Sequence, residues 1–260
     1  SLVEYAIKLN CINYLYLSMV YIILNLQKIE ELYGKMYENW WQEGSNGDQE
    51  MENSHYEGWQ NVISLIDIKD VKNKTILDFG CNQGGFLRHL YDRVSYHNAS
   101  GIDLAKNAIE VAKTRVGEYP IEYLNTVDAT TLNKRFDTVI STSVLYLIEN
   151  LEEHFSTIST ILKDKGVYYA SFSDQSKNPS AHFMKEKIDK YGATKMQNKT
   201  LTEVVDSLVN QNFSVELIKE YRDYNYQVTH YKEFYLSVDD YILSCENSFL
   251  IKATKKGEKQ

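Results

Sequence analysis

Cysteine is scarce in this chain of 260 residues: Cys11, Cys81 and Cys245 lie far apart, and no C-x-x-C pair occurs. Structural disulfides and zinc sites need paired or clustered thiols, so this spacing argues against both. A chain without such pairs suits a reducing compartment. We therefore expect a cytoplasmic protein with no bound metal.

Positively charged residues are also few. The chain has 28 Lys and Arg residues and 36 Asp and Glu residues, which gives a formal net charge of −8. No Lys/Arg cluster offsets this balance locally. Phosphate backbones bind basic surfaces, so the composition argues against a nucleic-acid substrate. The chain is 43% hydrophobic and 25% charged, which predicts a packed globular protein. Its 260 residues can form one large α/β domain with a small appendage.

No apolar run is long enough to predict a membrane span. The longest, residues 11–26, is interrupted by Asn13, Ser18 and Asn25, whereas a spanning helix needs about 20 apolar residues. The N-terminus also lacks the basic start and the cleavage site of a signal peptide. We expect a helix buried against the core or a partner. A homodimer contact and a membrane-surface role are the alternatives.

The most informative segment is residues 76–87, with the sequence ILDFGCNQGGFL. An apolar run that favours a strand ends near a carboxylate, passes through glycines and continues with helical periodicity. Phe86, Leu87, Leu90 and Val94 fall on one helix face. A strand, a tight loop and a helix in this order present bare backbone amides and a helix N-terminus to a small ligand.

Two ligand classes compete for this loop. A dinucleotide fingerprint needs a bare central glycine, but between Gly80 and Gly85 the central position is Asn82. Asp78 would also repel a pyrophosphate at close range. The same carboxylate suits a ligand that carries an ammonium and a sulfonium. The loop therefore favours S-adenosylmethionine, and an NAD-dependent oxidoreductase is the distant alternative.

Two further acidic residues follow predicted strands. Asp103 lies about 20 residues beyond the loop, where a carboxylate can accept hydrogen bonds from both ribose hydroxyls. Asp128 would lie near the adenine edge, and Ala129 is small enough to let its amide approach the ring. The structural alternative for an isolated Asp after a strand is a helix N-cap.

Five segments in register resemble the core of the class I S-adenosylmethionine-dependent methyltransferases: residues 76–84, 100–104, 125–129, 136–146 and 162–167. Asn82 departs from that pattern by replacing a frequent glycine, and Tyr146 stands where many relatives have His. The resemblance implies a seven-stranded Rossmann-like α/β sheet, mostly parallel with an antiparallel last strand, under an N-terminal helical lid. It also implies S-adenosyl-L-methionine as cofactor, bound by Asp78, Gly80, Cys81, Asn82, Gly84, Asp103, Leu104, Asp128, Ala129 and Ser141.

The domain organisation is predicted from the same resemblance and from the sequence pattern. Residues 1–70 are predicted to form the helical extension and lid, and residues 71–260 the cofactor-binding domain. Segments near 174–200 and 221–241 are candidate walls of a substrate pocket. Ser54-x-x-Glu57 and Thr200-x-x-Glu203 match the capping box that begins a helix. Phe213–Ile218 and Phe249–Ala253 are predicted as the closing strands.

The expected activity is methyl transfer to an O, N or C nucleophile of a small molecule. The family's Asn/Asp-Pro-Pro-Tyr/Phe motif is absent after the fourth strand, where residues 141–144 read STSV. This argues against a DNA base or a glutamine as acceptor. Tyr146, His55 and His182 are the candidate general bases, since histidine has a suitable pKa. A cofactor-binding protein of the same fold without methyl transfer is the alternative.

Overall fold

The computed structural model describes residues 36–44, 47–219 and 226–257. The apolar stretch 11–26, with the dimer and membrane-surface interpretations that rest on it, lies outside the described residues. So do residues 221–225 of the second candidate wall segment.

A seven-stranded sheet forms the centre of the domain, in the order β3-β2-β1-β4-β5-β7-β6. β7 runs antiparallel to both of its neighbours, β5 and β6, while β1 to β5 pair in parallel. The predicted sheet and its closing strands are therefore confirmed. The strands are β1 (Thr75–Phe79), β2 (Asn98–Asp103), β3 (Ile121–Asn125), β4 (Phe136–Ser141), β5 (Leu162–Ser173), β6 (Phe213–Lys219) and β7 (Ser248–Lys255).

Hydrophobic clusters lie on both faces of this sheet. Along β1, Leu77 and Phe79 belong to one cluster and Ile76 to the other, because successive side chains of a strand point to opposite faces. Each face is covered by helices. The helices are α1 (Gly47–Leu65), α2 (Gly85–Arg93), α3 (Lys106–Thr114), α4 (Leu151–Ile161), α5 (Ala181–Tyr191), α6 (Leu201–Asn210) and α7 (Val238–Glu246).

The two predicted capping boxes have different outcomes. At α6 the box is confirmed: the Glu203 N–H donates to Thr200 Oγ1 (3.1 Å) and the Thr200 N–H to Glu203 Oε2 (2.7 Å). The prediction at Ser54 is wrong, since α1 begins at Gly47 and Ser54 lies inside it. Tertiary contacts hold the earlier turns of α1, because Asp48 accepts hydrogen bonds from the backbone N–H groups of Trp40 and Trp41.

Residues 36–44, here called the strap, cross the end of the sheet where the strands terminate. On one side the Tyr37 N–H donates to the Leu104 carbonyl (3.3 Å), and the Lys106 N–H donates to the Tyr37 carbonyl (2.9 Å). On the other side the Ala193 N–H donates to the Trp40 carbonyl (2.9 Å). The strap is therefore attached both to the end of β2 and to the end of α5.

The ends of α1 and α2 near the glycine loop are joined by an ion pair. Glu52 Oε1 lies 3.3 Å from Arg88 Nη2 and 3.3 Å from Arg115 Nη1. Trp59 of α1 packs over Gly85, where an added Cβ would lie 2.5 Å from the indole Cζ3. These contacts position α1 against the first turn of α2.

A half-buried polar contact at the opposite end of the sheet predicts a pH-dependent stability. Burial alone would raise the pKa of Asp137, but hydrogen bonds from Lys163 and Thr75 lower this pKa to about 2. Because the folded pKa is depressed, the stabilisation is present above pH 4 and is lost as the pH falls toward 2. We expect Asp137→Asn to lower the free energy of unfolding by about 2 kcal/mol at pH 7.

Urea unfolding at a series of pH values measures this effect. The difference between the two proteins should vanish as the pH falls from 4 to 2, because the unmodified carboxyl is then protonated as well. Asp164→Asn, at an exposed position of β5, is the matched control and should leave stability unchanged at every pH. A difference that stays constant with pH would contradict the linkage.

Candidate functional site

The loop after β1 has the backbone conformation that its residues favour. Gly80 and Gly84 have φ values of 81° and 75°, in the left-handed region, and Asn82 has φ 44°, which asparagine tolerates better than most residues. A Cβ at Gly80 would lie 2.4 Å from Val144 Cγ2. The N–H groups of Gly80 and Cys81 both donate to the Ile102 carbonyl (2.8 and 3.0 Å), so the loop is held against the end of β2.

Asp78 is a buried carboxylate with no partner in the described part of the chain. Only 1% of the residue is exposed, and neither carboxylate oxygen has a hydrogen-bond partner there. Burial, followed by the nearby Asp103, raises the pKa of Asp78 to about 8. Burying an unpaired charge is costly, so this side chain fits a ligand that brings a positive charge.

Asp103 lies beside it and holds the loop. Its Oδ2 accepts from the Asn82 N–H (2.8 Å) and its Oδ1 accepts from the Ala105 N–H (2.8 Å). Burial raises the pKa of Asp103 to about 6, although these hydrogen bonds oppose the shift. Each carboxylate oxygen has a second lone pair, so Asp103 can still accept a hydrogen bond from a ligand.

The strap and α1 close one side of the crevice. Asp48, in the first turn of α1, accepts from the Trp41 N–H (2.9 Å) and from the Trp40 N–H (3.3 Å). A hydrogen bond with the side chain of Asn82 connects Asp48 to the glycine loop. Within the described residues, the buried indole Nε1 of Trp40 has no acceptor.

These elements surround a first cavity, here called the crevice, at the ends of β1, β2 and β4. Its walls combine loop residues, strap residues and the segment after β4. They are Tyr37, Trp40, His55, Trp59, Asp78, Phe79, Gly80, Cys81, Asn82, Phe86, Asp103, Leu104, Val127, Thr142, Ser143, Val144, Tyr146, Leu147, Ile148 and Thr194.

A second cavity of about 880 Å³ adjoins the crevice. Its walls include residues from both segments predicted to flank a substrate, among them Gln175, Met184, Ile188 and Met196 from 174–200 and Phe234, Tyr235 and Tyr241 from 221–241. Five residues line both cavities: His55, Trp59, Thr142, Ser143 and Tyr146. A group bound in one cavity can therefore meet a group bound in the other at these five side chains.

The structure separates the three candidate bases. His55 lies at the junction of the cavities, and burial lowers its pKa, so its imidazole is neutral at pH 7. Tyr146 lies at the same junction, and burial raises the pKa of its phenol, which keeps it protonated. His182 is exposed on α5 with Nδ1 3.1 Å from the Pro179 carbonyl oxygen, and it lines neither cavity.

The predicted cofactor residues fall into two groups. Asp78, Gly80, Cys81, Asn82, Asp103 and Leu104 line the crevice together. Gly84, Asp128, Ala129 and Ser141 are not among its lining residues, although Val127 is. Asp128 is the N-cap of a short 3₁₀ turn, with Oδ1 3.0 Å from the Thr130 N–H. Contact with a cofactor stays a prediction for all ten residues.

Several residues that line the crevice were not predicted from the sequence. Thr194, Leu147 and Ile148 carry no motif, and only the packing of the segments after β4 and α5 brings them to the crevice. For Tyr37 and Trp40 the sequence does offer one signal, because they lie in a segment upstream of β1 that is rich in aromatic residues. Across the described ranges, no group of three His, Cys, Asp or Glu residues is arranged to hold a metal. No helix there is long and apolar enough to cross a membrane.

Comparison with known proteins identifies the family. The sequence profile of a family described as "Methyltransferase domain" matches residues 54–230, which is more than half of the chain. The chain belongs to the class I S-adenosylmethionine-dependent methyltransferases. The family match begins inside α1 and includes the glycine loop, the wall segment 174–200 and the strand β6.

Individual relatives of this methyltransferase are distant. A malonyl-[acyl-carrier protein] O-methyltransferase of Acetivibrio thermocellus is 31% identical over 108 residues, which is 40% of this chain and 38% of the relative. A second protein of that name, from Anoxybacillus flavithermus, is 25% identical over 40% of its length. The chain thus spans about two fifths of the length of these curated relatives.

Solved structures show the same fold at low identity. An S-adenosylmethionine-dependent methyltransferase from Mesorhizobium loti superposes with a TM-score of 0.59 at 18% identity, covering 76% of this chain and 97% of that one. Human N-acetylserotonin methyltransferase in complex with S-adenosylmethionine has a TM-score of 0.59 at 13% identity, covering 80% and 55% of the two chains.

Proposed function

We propose that this protein transfers a methyl group from S-adenosylmethionine to an O, N or C nucleophile of a small molecule. The observation that supports this most is the Asp78 carboxylate in the crevice, which lies beside Asp103 and has no hydrogen-bond partner among the described residues. Two acidic side chains there disfavour a pyrophosphate and favour a cationic nucleoside. When bound, the cofactor supplies a methyl group on a sulfonium, which is already activated toward displacement.

The crevice offers a complementary partner for each end of that cofactor. Asp78 would pair with the ammonium of the methionine portion, and Asp103 would accept from the ribose hydroxyls. The indole N–H of Trp40, which is buried and has no acceptor within the described ranges, would donate to the carboxylate of the methionine portion. Trp59 and Tyr37 complete the wall and exclude water.

The junction residues would handle the acceptor. His55 is neutral at pH 7, since burial lowers its pKa. It can remove a proton from a hydroxyl acceptor as the bond forms, or from an ammonium acceptor before the nitrogen attacks. Ser143 and Thr142 present short hydroxyl side chains at the same place. Alignment of the two substrates and exclusion of water account for the remaining rate acceleration.

Calorimetric titration tests the cofactor assignment. The protein should bind S-adenosylhomocysteine and show no heat with NADH. Asp103→Ala should weaken binding of S-adenosylhomocysteine by about 1–3 kcal/mol, the scale of a lost charge-assisted hydrogen bond. Equal affinity of the mutant and the parent would reject Asp103 as the ribose partner.

Turnover separates an enzyme from a protein that only binds this cofactor. Metabolite extracts incubated with the protein should contain a compound that gains the mass of one methyl group only when S-adenosylmethionine is present. Binding of S-adenosylhomocysteine without any such gain would favour the non-catalytic alternative.

We further infer the class of acceptor, the cellular location and the oligomeric state of this protein. The acidic composition supports an acceptor other than nucleic acid, and the sparse cysteines support a reducing, cytoplasmic location. The apolar stretch 11–26, for which the sequence predicts a helix, supports a homodimer formed through that segment. Light scattering of the purified chain measures the last point, and a monomeric mass would reject it.

A further inference from the structure

We infer that the second cavity binds an uncharged methyl acceptor. This acceptor is largely aromatic or alkyl, and it donates a hydrogen bond to Gln175. This inference rests on the proposed function, because it takes the crevice as the cofactor site and the adjoining cavity as the acceptor site. It narrows the acceptor from any small molecule to a neutral one with a donor group.

The shape and lining of the cavity support a hydrophobic acceptor of moderate size. A volume of about 880 Å³ is within the range of pockets that bind drug-sized ligands. A large part of the wall is apolar or aromatic, formed by Trp59, Val62, Phe172, Met184, Ile188, Met196 and Phe234. Methionine side chains adapt to irregular ligand shapes, and aromatic faces stack on planar ligands.

One polar group in this wall has an unused hydrogen-bonding atom. Gln175 is 6% exposed, and its Nε2 donates to Ser173 Oγ (2.7 Å) and to Ser244 Oγ (2.6 Å). Its Oε1 is buried and has no partner among the described residues. An unsatisfied buried amide oxygen costs free energy, which a bound N–H or O–H donor would recover.

The surrounding network supports this orientation of the Gln175 amide. The Ser173 hydroxyl donates to the Ser244 carbonyl oxygen (3.0 Å), and the Tyr235 hydroxyl donates to Ser244 Oγ (2.8 Å). The Ser173 oxygen is therefore an acceptor toward Gln175, so Nε2 faces the serines. Oε1 is left as the acceptor, and the complementary ligand group is a donor.

The charges of the wall argue against an anionic acceptor. Of the described residues that line this cavity, only Glu57 carries a full charge at pH 7, and it is negative and exposed. A carboxylate or phosphate would lose its hydration there without gaining a described cationic partner. An acceptor of the malonyl type, with its free carboxylate, fits this wall less well than a neutral molecule.

Three naphthalene probes of similar size test the inference on protein saturated with S-adenosylhomocysteine. 2-Naphthol carries a donor, 2-acetylnaphthalene only an acceptor, and 2-naphthoate an anion. We expect 2-naphthol to bind at least fivefold more tightly than either of the others, as measured by calorimetry. Tightest binding of 2-acetylnaphthalene or 2-naphthoate, or equal affinity for all three probes, would overturn the inference.

A variant assigns the preference to Gln175. Gln175→Met should weaken 2-naphthol binding about fivefold, the scale of one neutral hydrogen bond, and leave 2-acetylnaphthalene binding unchanged. Gln211→Met, the same substitution outside the cavity, is the matched control and should change neither affinity. An unchanged preference for 2-naphthol in Gln175→Met would also overturn the inference.

The two proposals fail in different ways. If the protein does not bind S-adenosylhomocysteine, the proposed function fails, and the probe ranking can still be measured on unliganded protein. If Gln175→Met does not fold, the ranking of the three probes on the unmodified chain still decides the question. If the cofactor binds and the ranking is reversed, only the inference about the acceptor fails.

Discussion

Asp78→Asn is expected to weaken binding of S-adenosylhomocysteine about 100-fold at pH 8. The substitution keeps the shape of the side chain but removes the buried charge that pairs with the ammonium, and losing one partner of a buried charge pair costs about 2–5 kcal/mol. 5′-Methylthioadenosine lacks the amino-acid portion and should bind the variant and the parent within twofold. Calorimetry with both ligands measures the effect. Equal losses for the two ligands would indicate a general distortion of the loop.

The same substitution should change how the stability of the ligand-free protein depends on pH. The pKa of Asp78 is raised to about 8 by burial, then by Asp103. The pKa of Asp78 is therefore higher in the folded protein than in the unfolded chain. The stability that this carboxyl contributes is greatest below pH 4 and is lost as the pH rises through 8. Asp78→Asn cannot ionise at this position, so its stability should fall less than that of the parent over that interval and exceed that of the parent at pH 8. Thermal unfolding at pH 5 and pH 8 measures this difference.

A matched pair of variants tests the proposed contact between Trp40 and the carboxylate of the methionine portion. Trp40→Phe keeps an aromatic ring but removes the unpartnered N–H, so binding of S-adenosylhomocysteine should weaken about fivefold while 5′-methylthioadenosine is unaffected. Trp41→Phe is the control, since Trp41 stacks on Trp40 but does not line the crevice. If both variants lose affinity equally, the effect comes from packing of the strap.

His55→Gln is expected to lower kcat by about 100-fold or more for an O or N acceptor, the usual contribution of a positioned general base. Binding of S-adenosylhomocysteine should remain within twofold. His182→Gln is the matched control, because that histidine is exposed and lines neither cavity. Its kcat should equal that of the parent. The assay uses the acceptor found by the extract screen.

The pH profile gives a second measurement for His55. Burial lowers the pKa of this imidazole below its usual value of 6.5, and the base must be neutral to accept a proton. In the parent saturated with S-adenosylmethionine, kcat/KM for the acceptor should therefore rise with pH through a pKa below 6.5 and then stay level. The rise should be absent in His55→Gln. A parent-like profile in the variant would remove His55 from the mechanism.

Local sequence patterns predicted the elements whose determinants are close together in the chain. The box at Thr200 begins α6 because Thr200 and Glu203 satisfy each other's backbone N–H groups within one turn. The identical spacing at Ser54 predicted a helix start wrongly, since Asp48 and Glu52 extend α1 toward its N-terminus through contacts with Trp41 and Arg88. Such long-range contacts leave no trace in a four-residue motif.

Some features of the candidate site could likewise be predicted from the sequence, and others could not. The order of strands, the glycine loop and the acidic residues Asp78 and Asp103 could be recognised in the sequence, because parallel strands bring their C-terminal ends to one edge of a sheet. The linear chain does not reveal that the strap crosses this edge or that His55 rather than His182 reaches the junction of the cavities. Nor does it reveal that the side-chain oxygen of Gln175 has no hydrogen-bond partner among the described residues. These features depend on side chains from distant segments packing together, and that packing exists only in the folded protein.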